Sequence, residues 1–278
     1  MRTFLFLNFF ILLIIISCNN EVTENPNTTT SSLTTSTTTT TLSLVDSTQI
    51  KLNSTSLGRD YTIDIYFPKE YSETTAKYKV LYANDGQDMT SVDLKGALTS
   101  LYESNTIEKI IVVAIHCSND RNNDYGTIDP TTDNPITCQA SSVNDNLGKN
   151  AKKYTDFLLE NVMTHINSNY RTLTGVENTS IIGWSLGGLS AFSIAWAKPN
   201  VFGKVGVFSG SFWWRSQYGD LDARQNSRIM QNIISNSKKR DGLRMWFQQG
   251  SKDEDSDRDN DGIIDAMETV TDESGKIT

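Results

Sequence analysis

The stretch Ser180-Ile181-Ile182-Gly183-Trp184-Ser185-Leu186-Gly187 decides the fold. A short apolar run ends in G-x-S-x-G, and a helical pattern that begins near Leu186 follows directly. Glycines on both sides of Ser185 remove side chains that would clash in a sharp turn, and such a turn exposes the serine hydroxyl above a sheet. The helix N-terminus favours negative charge beside this hydroxyl, with the Leu186 N–H as one donor. The sequence therefore predicts a strand, a turn that presents a nucleophilic serine, and a helix. A tight glycine-rich packing turn is the alternative interpretation.

The segments around this motif predict an α/β domain. Runs rich in β-branched and aromatic residues predict strands at 61–67, 78–82, 110–115, 180–182, 205–208 and 244–247. Apolar residues at helical spacing predict helices at 151–168, 186–197 and 222–235. This order favours a mostly parallel central sheet with helices on both faces. The long polar segment 118–150 follows the strand 110–115, so we expect it to overhang the carboxyl edge of the sheet and to help shape a substrate cleft.

The N-terminal 46 residues predict a signal peptide followed by a flexible tether. Residues 1–17 have the apolar run of a signal peptide, too short for a membrane-spanning helix. The end of that run, Ile15-Ile16-Ser17-Cys18, resembles a bacterial lipobox, which implies cleavage before Cys18 and lipidation of its thiol. The alternative is an ordinary secretory signal. Residues 18–46 are rich in Thr and Ser and predict a disordered tether, so the folded domain is expected at 47–278. We therefore expect a lipid-anchored protein of the cell envelope, at the outer membrane or cell surface.

Charge and cysteine content narrow the classes of partner. The formal net charge is −8, with 25 basic and 33 acidic residues and no basic cluster, which argues against nucleic acid as a partner. In an oxidising compartment Cys117 and Cys138 could form a disulfide, or they could be two partly buried thiols.

Several stretches, in this order, resemble the esterase family of α/β-hydrolases, whose members include enterochelin esterases, feruloyl and acetyl-xylan esterases and formylglutathione hydrolase. The resemblance covers most of residues 61–268, and the G-x-S-x-G motif is its specific element. The other stretches are Ile65-Tyr66-Phe67-Pro68, Tyr82-Ala83-Asn84-Asp85-Gly86-Gln87, Arg121-Asn122-Asn123-Asp124-Tyr125, Asn169-Tyr170-Arg171-Thr172 and Phe208-Ser209-Gly210-Ser211-Phe212-Trp213-Trp214.

The resemblance implies an α/β-hydrolase fold and a set of site residues. The loop after the strand 78–82 would supply a second oxyanion N–H near Gln87 or Asp88, although Asp85-Gly86 could equally be a plain turn. Residues that would contact the substrate are Trp184, Trp213, Trp214, Arg121 and Tyr125. Core packing is the alternative for one of Trp213 and Trp214.

The acid and the base of a Ser–acid–His triad pose a problem. Triad order in this fold is Ser, Asp or Glu, then His, so Asp253, just after the strand 244–247, is the predicted acid, with Asp255 and Glu254 as alternatives. Alternatively, all three are solvated loop charges. The only histidines are His116 and His165, and both precede Ser185. We therefore expect an α/β-hydrolase domain that is incomplete at its C-terminus, with the histidine encoded downstream. The rival hypothesis is a pseudoenzyme kept for binding.

Residues 257–268 match the calcium-loop pattern D-x-D-x-D-G-x₅-E. Oxygen ligands would come from the side chains of five acidic residues and the main-chain carbonyl of Ile263: Asp257, Asp259, Asp261, Ile263, Asp265 and Glu268. The pattern predicts a structural Ca²⁺ ion, although the helix that usually precedes such a loop is missing. A solvated acidic loop is the alternative.

Together these features predict a cell-envelope serine esterase that acts on acyl or feruloyl esters, including esters linked to polysaccharides, and that needs no cofactor for catalysis. The alternatives are a siderophore-ester hydrolase and a non-catalytic surface protein that binds a glycan or another ligand in the same cleft. A surface-tethered enzyme meets polymers first, which is the argument from location for a polysaccharide-linked substrate.

Overall fold

The structure is a computed structural model that describes residues 43–139, 146–219, 223 and 226–250. In this part of the chain there are nine strands: β1 (Val45–Ser54), β2 (Arg59–Pro68), β3 (Lys79–Asn84), β4 (Ile110–Ile115), β5 (Thr127–Ile128), β6 (Pro135–Ile136), β7 (Thr179–Trp184), β8 (Lys204–Phe208) and β9 (Arg244–Gln248). The α-helices are α1 (Leu94–Glu103), α2 (Arg121–Asp124), α3 (Ala151–Asp156), α4 (Met163–Asn169), α5 (Ser185–Ala197) and α6 (Ile229–Ser235). Single 3₁₀ turns lie at Lys69–Glu73, Gly86–Asp88 and Val176–Asn178.

The main sheet is mixed, with strand order β1-β2-β4-β3-β7-β8-β9. Strand β1 is antiparallel to β2, and β2 is antiparallel to β4. From β4 to β9 every neighbouring pair is parallel. The two short strands β5 and β6 form a separate antiparallel ribbon. The predicted mostly parallel α/β sheet is thus confirmed, and the antiparallel part is confined to its N-terminal edge.

Helices cover both faces of the sheet, as predicted. On one face α3, α4 and α5 contribute Tyr154, Ile166 and Phe192, among others, to a large apolar cluster. On the other face α1 contributes Leu94 and Leu98 to a second cluster. Strand β4 lies between the two clusters with all six residues buried, as expected for a continuous apolar run in the middle of a parallel sheet.

The predicted helix 151–168 is present as one long element with a change of winding. Helix α3 passes into a π-helical stretch at Phe157–Val162 and then into α4. For the predicted helix 222–235, the structure describes α6 at Ile229–Ser235. Residues 220–222 and 224–225 lie outside the described residues.

Five of the strands and α-helices were not predicted: β1, α1 and, within the segment 118–150, α2, β5 and β6. Strand β1 begins at Val45, so the last two residues assigned to the tether belong to the sheet. Helix α1 occupies the connection between β3 and β4.

Cys117 and Cys138 are not joined by a disulfide, and the two-thiol alternative is the one that the structure supports. Among the described residues, no helix is both long and apolar enough to cross a membrane.

Candidate active site at the carboxyl edge of the sheet

Ser185 stands in the sharp turn between β7 and α5. Its φ is 50°, in the left-handed region that a serine rarely adopts, and its side chain is exposed. A Cβ atom added at Gly183 would overlap the main chain of Gly187, which explains why these positions hold glycine. The Leu186 N–H is among the first N–H groups of α5, which an α-helix leaves without an intrahelical acceptor. The strand–turn–helix geometry predicted for this motif is therefore present.

The loop after β3 lies directly beside this turn. The Asn84 side-chain amide donates a hydrogen bond of 2.8 Å to the main-chain carbonyl of Gly187 in the first turn of α5. Asp85 follows with a φ of 58°, and the 3₁₀ turn Gly86–Asp88 continues the loop. A Cβ atom at Gly86 would lie 2.6 Å from the main chain of Ala114, so glycine lets the loop pack on the end of β4. The loop predicted to supply the second oxyanion N–H is thus joined, at Asn84, to the first turn of the helix that begins with Ser185.

The side chain of Gln87 is exposed and bridges this loop to the segment after β4. Its amide oxygen accepts a 2.9 Å hydrogen bond from the Cys117 N–H. Burial, with a further contribution from the charge of Asp85, raises the pKa of the Cys117 thiol. This thiol is therefore protonated at neutral pH, and we assign it no part in the chemistry.

Arg121 and Tyr125 both form hydrogen bonds with Asp85. The Arg121 guanidinium donates from Nε and Nη2 to the two carboxylate oxygens of Asp85, each at 2.7 Å. The Asp85 N–H donates to the Tyr125 hydroxyl at 3.0 Å. Tyr125 is 0% exposed, so the expectation that it contacts substrate is corrected: its hydroxyl instead binds the main chain of the loop at Asp85. The Arg121 side chain is 29% exposed and lies at the edge of the site.

A buried polar network fixes the segment that carries Arg121. The Asp124 carboxylate, 1% exposed, accepts a 2.6 Å hydrogen bond from the Tyr61 hydroxyl and further ones from Ser118 and Asn150. Arg59 approaches the same carboxylate to 3.3 Å. Burial and the bond to Asp124 raise the pKa of the Tyr61 phenol. The start of the segment 118–150 is therefore tied to the sheet, with Arg121 at the carboxyl end of β3.

The three predicted tryptophans differ in their environments. Trp184 is half-buried and its ring stacks on Phe208 at 5.5 Å. Trp213 is half-buried beside the larger apolar cluster. Trp214 is 2% exposed and packs against Gly148. Its predicted contact with substrate is therefore corrected, because its ring lies in the core. The alternative of core packing for one member of the Trp213–Trp214 pair therefore holds for Trp214.

Neither histidine is hydrogen-bonded to Ser185 in the described part of the chain. His116 Nε2 lies 2.8 Å from Asp64 Oδ2 on β2, on the side of β4 that faces away from β7. His165 is on α4, where Asn169 and Tyr170 are its neighbours. The predicted acid Asp253, the predicted calcium loop 257–268 and the predicted lipidation site Cys18 lie outside the described residues.

The sequence reasoning did not single out two site residues. Asn84 joins the loop after β3 to α5, and Ser211 places its Oγ 3.2 Å from Ser185 Oγ. Both residues lie in stretches that carry the family resemblance, so the resemblance could have indicated them.

A separate cavity of about 610 Å³ lies between the β5–β6 turn and α6, and Ser185 does not line it.

A serine in a left-handed turn between a buried strand and a helix, at the carboxyl edge of a mostly parallel sheet, defines an α/β-hydrolase fold. The family model described as "Putative esterase" matches residues 54–275, and the chain belongs to this family.

Three similar proteins illustrate the match. The chain is 23% identical over 152 residues to "Uncharacterized protein YbbA" of Bacillus subtilis (strain 168), which covers 55% of this chain and 57% of that protein. It is 25% identical over 186 residues to an endo-1,4-beta-xylanase/feruloyl esterase of Xylanibacter ruminicola, which covers 63% of this chain and 23% of that protein. The chain thus spans less than two thirds of these relatives. Enterobactin esterase FES from Shigella flexneri shares the fold, with a TM-score of 0.55, 19% identity, and coverage of 72% of this chain and 45% of that one.

Proposed function

We propose that this protein is a serine-type carboxylic-ester hydrolase with Ser185 as its nucleophile. The observation that carries the proposal is the exposed Ser185 hydroxyl in its left-handed turn, directly beside the loop that follows β3. Membership of the esterase family supports the reaction class. In this proposal the N–H of Leu186 and an N–H of the Gln87 region bind the oxyanion.

The proposed reaction has two halves. The Ser185 oxygen attacks the ester carbonyl carbon while a base takes its proton, and the carbonyl electron pair moves onto the carbonyl oxygen. Collapse of this intermediate breaks the bond to the alcohol, which leaves with the proton, and water then releases the acid by the same steps. In this reaction type the base is a histidine oriented by an acid, and the proposal gives the orienting role to Asp253.

The proposed substrates are acyl or feruloyl esters. The feruloyl esterase activity named for the Xylanibacter ruminicola relative supports a feruloyl ester linked to a polysaccharide. A siderophore ester is the alternative substrate, because the enterobactin esterase that shares this fold is named for such an ester. The same ester hydrolysis would apply to it. Rates measured side by side on ethyl ferulate and on a catechol siderophore ester distinguish the two, because a feruloyl esterase prefers the first substrate.

A second candidate function is non-catalytic ligand binding in the same cleft. The observation that favours it is that, among the described residues, no histidine contacts the Ser185 hydroxyl. Without a base the serine is a poor nucleophile, and about 10³–10⁴-fold acceleration over water is what remains.

Hydrolysis of p-nitrophenyl acetate by the purified protein, beside a Ser185→Ala variant, tests both candidates. Turnover that is lost in the variant supports the esterase. Equal rates in the two proteins contradict it for this chain, and binding of feruloylated oligosaccharides to both proteins would then support the second candidate.

We also propose a structural Ca²⁺ ion for the loop 257–268 and a lipid anchor on Cys18 at the cell envelope. The support for both is the sequence pattern alone. Calorimetry with CaCl₂ tests the first, and the absence of binding at millimolar calcium contradicts it. Recovery of a Cys18→Ser variant in the soluble fraction, against the native protein in the membrane fraction, supports the second.

A further inference from the structure

The turn after β8 brings a second hydroxyl to Ser185. Ser209 has a φ of 48°, and its N–H donates a 2.7 Å hydrogen bond to the carbonyl of Gln248 at the end of β9. Gly210 follows, and a Cβ atom there would overlap the ring of Phe212. These two positions form a narrow turn, and the next residue, Ser211, faces Ser185 at the start of α5.

Ser211 contacts Ser185 at two points. Its N–H donates a 3.1 Å hydrogen bond to the Ser185 carbonyl. Its Oγ lies 3.2 Å from Ser185 Oγ, the one side-chain hydrogen bond that the Ser185 hydroxyl makes to a described residue. Ser211 is 5% exposed, so solvent competes little for its hydroxyl.

We propose that Ser211 is a positioning residue for the nucleophile: its hydroxyl fixes the Ser185 side chain and donates a hydrogen bond to Oγ as that oxygen loses its proton. This inference rests on the proposed function, which it deepens. The Ser211 hydroxyl keeps its own proton throughout, so it supplies a hydrogen bond and transfers nothing.

The 3.2 Å separation of the two oxygens is the reason for expecting an effect on the rate. It exceeds the usual O–H···O distance of about 2.7–2.8 Å, so the bond is weak while both hydroxyls are neutral. A hydroxyl that donates to an anionic oxygen forms a shorter bond, about twice as strong. Partial negative charge collects on Ser185 Oγ while its proton moves to the base, and again when this oxygen leaves the acyl carbon in the second half of the reaction. An interaction that strengthens with that charge lowers the barrier without tightening substrate binding.

A thiol placed at position 185 tests the donor role without any turnover. The variants are Ser185→Cys alone, Ser185→Cys with Ser211→Ala, and Ser185→Cys with Ser190→Ala as the matched control. Ser190 is a buried serine of α5, and its hydroxyl makes no hydrogen bond to Ser185. Ser211→Ala keeps the N–H that bonds the Ser185 carbonyl, so the backbone of the turn is preserved.

The measurement is the pH dependence of iodoacetamide alkylation at position 185, followed by peptide mass spectrometry. A donated hydrogen bond favours the thiolate, so the profile with Ser211→Ala should have its midpoint at least about half a pH unit higher than the other two. Coincident profiles for all three proteins would overturn the proposal.

A second measurement uses the native Ser185. Ser211→Ala should lower kcat for p-nitrophenyl acetate about tenfold and leave KM unchanged, and Ser211→Thr, which keeps a hydroxyl, should restore part of kcat. A change in KM alone would overturn the proposal. If the native protein is no faster than Ser185→Ala, the esterase function fails, while the alkylation profiles still decide the role of Ser211.

Discussion

The Asn84 side chain joins the end of β3 to the first turn of α5, because its amide donates to the Gly187 carbonyl at 2.8 Å. The Asn84 amide oxygen in turn accepts a 2.7 Å hydrogen bond from the buried hydroxyl of Tyr154. Asn84 is itself 1% exposed, so water cannot replace either partner. The loop after β3 and the Ser185 turn are therefore held together by a buried polar bridge, defined here as Tyr154, Asn84 and Gly187.

Removing one end of this bridge should destabilise the fold. Tyr154→Phe leaves the Asn84 oxygen unpaired and should lower the free energy of unfolding by about 1–3 kcal/mol in urea titrations. Asn84→Ala should cost more, and the double variant should cost less than the sum, because the same hydrogen bond is removed twice. Tyr170→Phe is the control, since that ring stacks on Phe67 and its hydroxyl has no described partner. Strictly additive losses would contradict the bridge.

The pair Arg121–Asp85 should matter far more than an ion pair at the surface. The Asp85 side chain is 2% exposed and depends on the two-bond contact with Arg121, so Arg121→Ala should cost about 3–5 kcal/mol. Arg121→Lys keeps the charge but not the paired geometry, and an intermediate loss is expected. Urea unfolding measures both variants. Lys198→Ala, which breaks the half-exposed pair with Asp133, should cost less than about 1 kcal/mol. Equal losses for Arg121→Ala and Lys198→Ala would refute this ranking.

The sequence was most informative where burial decides the residue type. All six residues of β4 are buried, and the predicted 110–115 matches its bounds. The glycines and the serine of the β7–α5 turn were also readable, because few residues tolerate that backbone geometry. Strand β1 was missed because most of its residues are polar and exposed at the sheet edge, which makes it resemble the preceding tether.

Contacts between distant parts of the chain could not be derived from local pattern. The bridge from Asn84 to Gly187 joins residues 103 positions apart, and the contact between Ser185 and Ser211 joins residues 26 apart. Tyr125 and Trp214 were assigned to the substrate from the family resemblance, and an aromatic residue near a site suits a pocket or the core equally well. Their burial in the folded structure decides for the core.

The turn that carries Ser185 should not tolerate a methyl group at Gly183. A Cβ atom there overlaps the main chain of Gly187, which cannot move without breaking the start of α5. Gly183→Ala should therefore cost about 3 kcal/mol or more in urea unfolding. Gly242→Ala is the matched control: its φ is 87° and nothing lies within 4 Å of its Cβ position, so only backbone strain of about 1–2 kcal/mol is expected. A smaller loss for Gly183→Ala than for Gly242→Ala would show that the turn is not tightly packed.

Buried tyrosines should make the protein unstable in alkali. Burial raises the pKa of Tyr66 to about 12, and it also raises the pKa values of Tyr82, Tyr125 and Tyr154 above the ordinary value. Above a pH of about 10 the unfolded chain loses these protons and the folded chain keeps them, so the free energy of unfolding falls as pH rises. Tyrosinate absorbance at 295 nm should therefore rise together with the loss of helical circular dichroism, whereas protein already unfolded in urea should titrate near pH 10. Full tyrosinate absorbance in protein that remains helical would contradict this expectation.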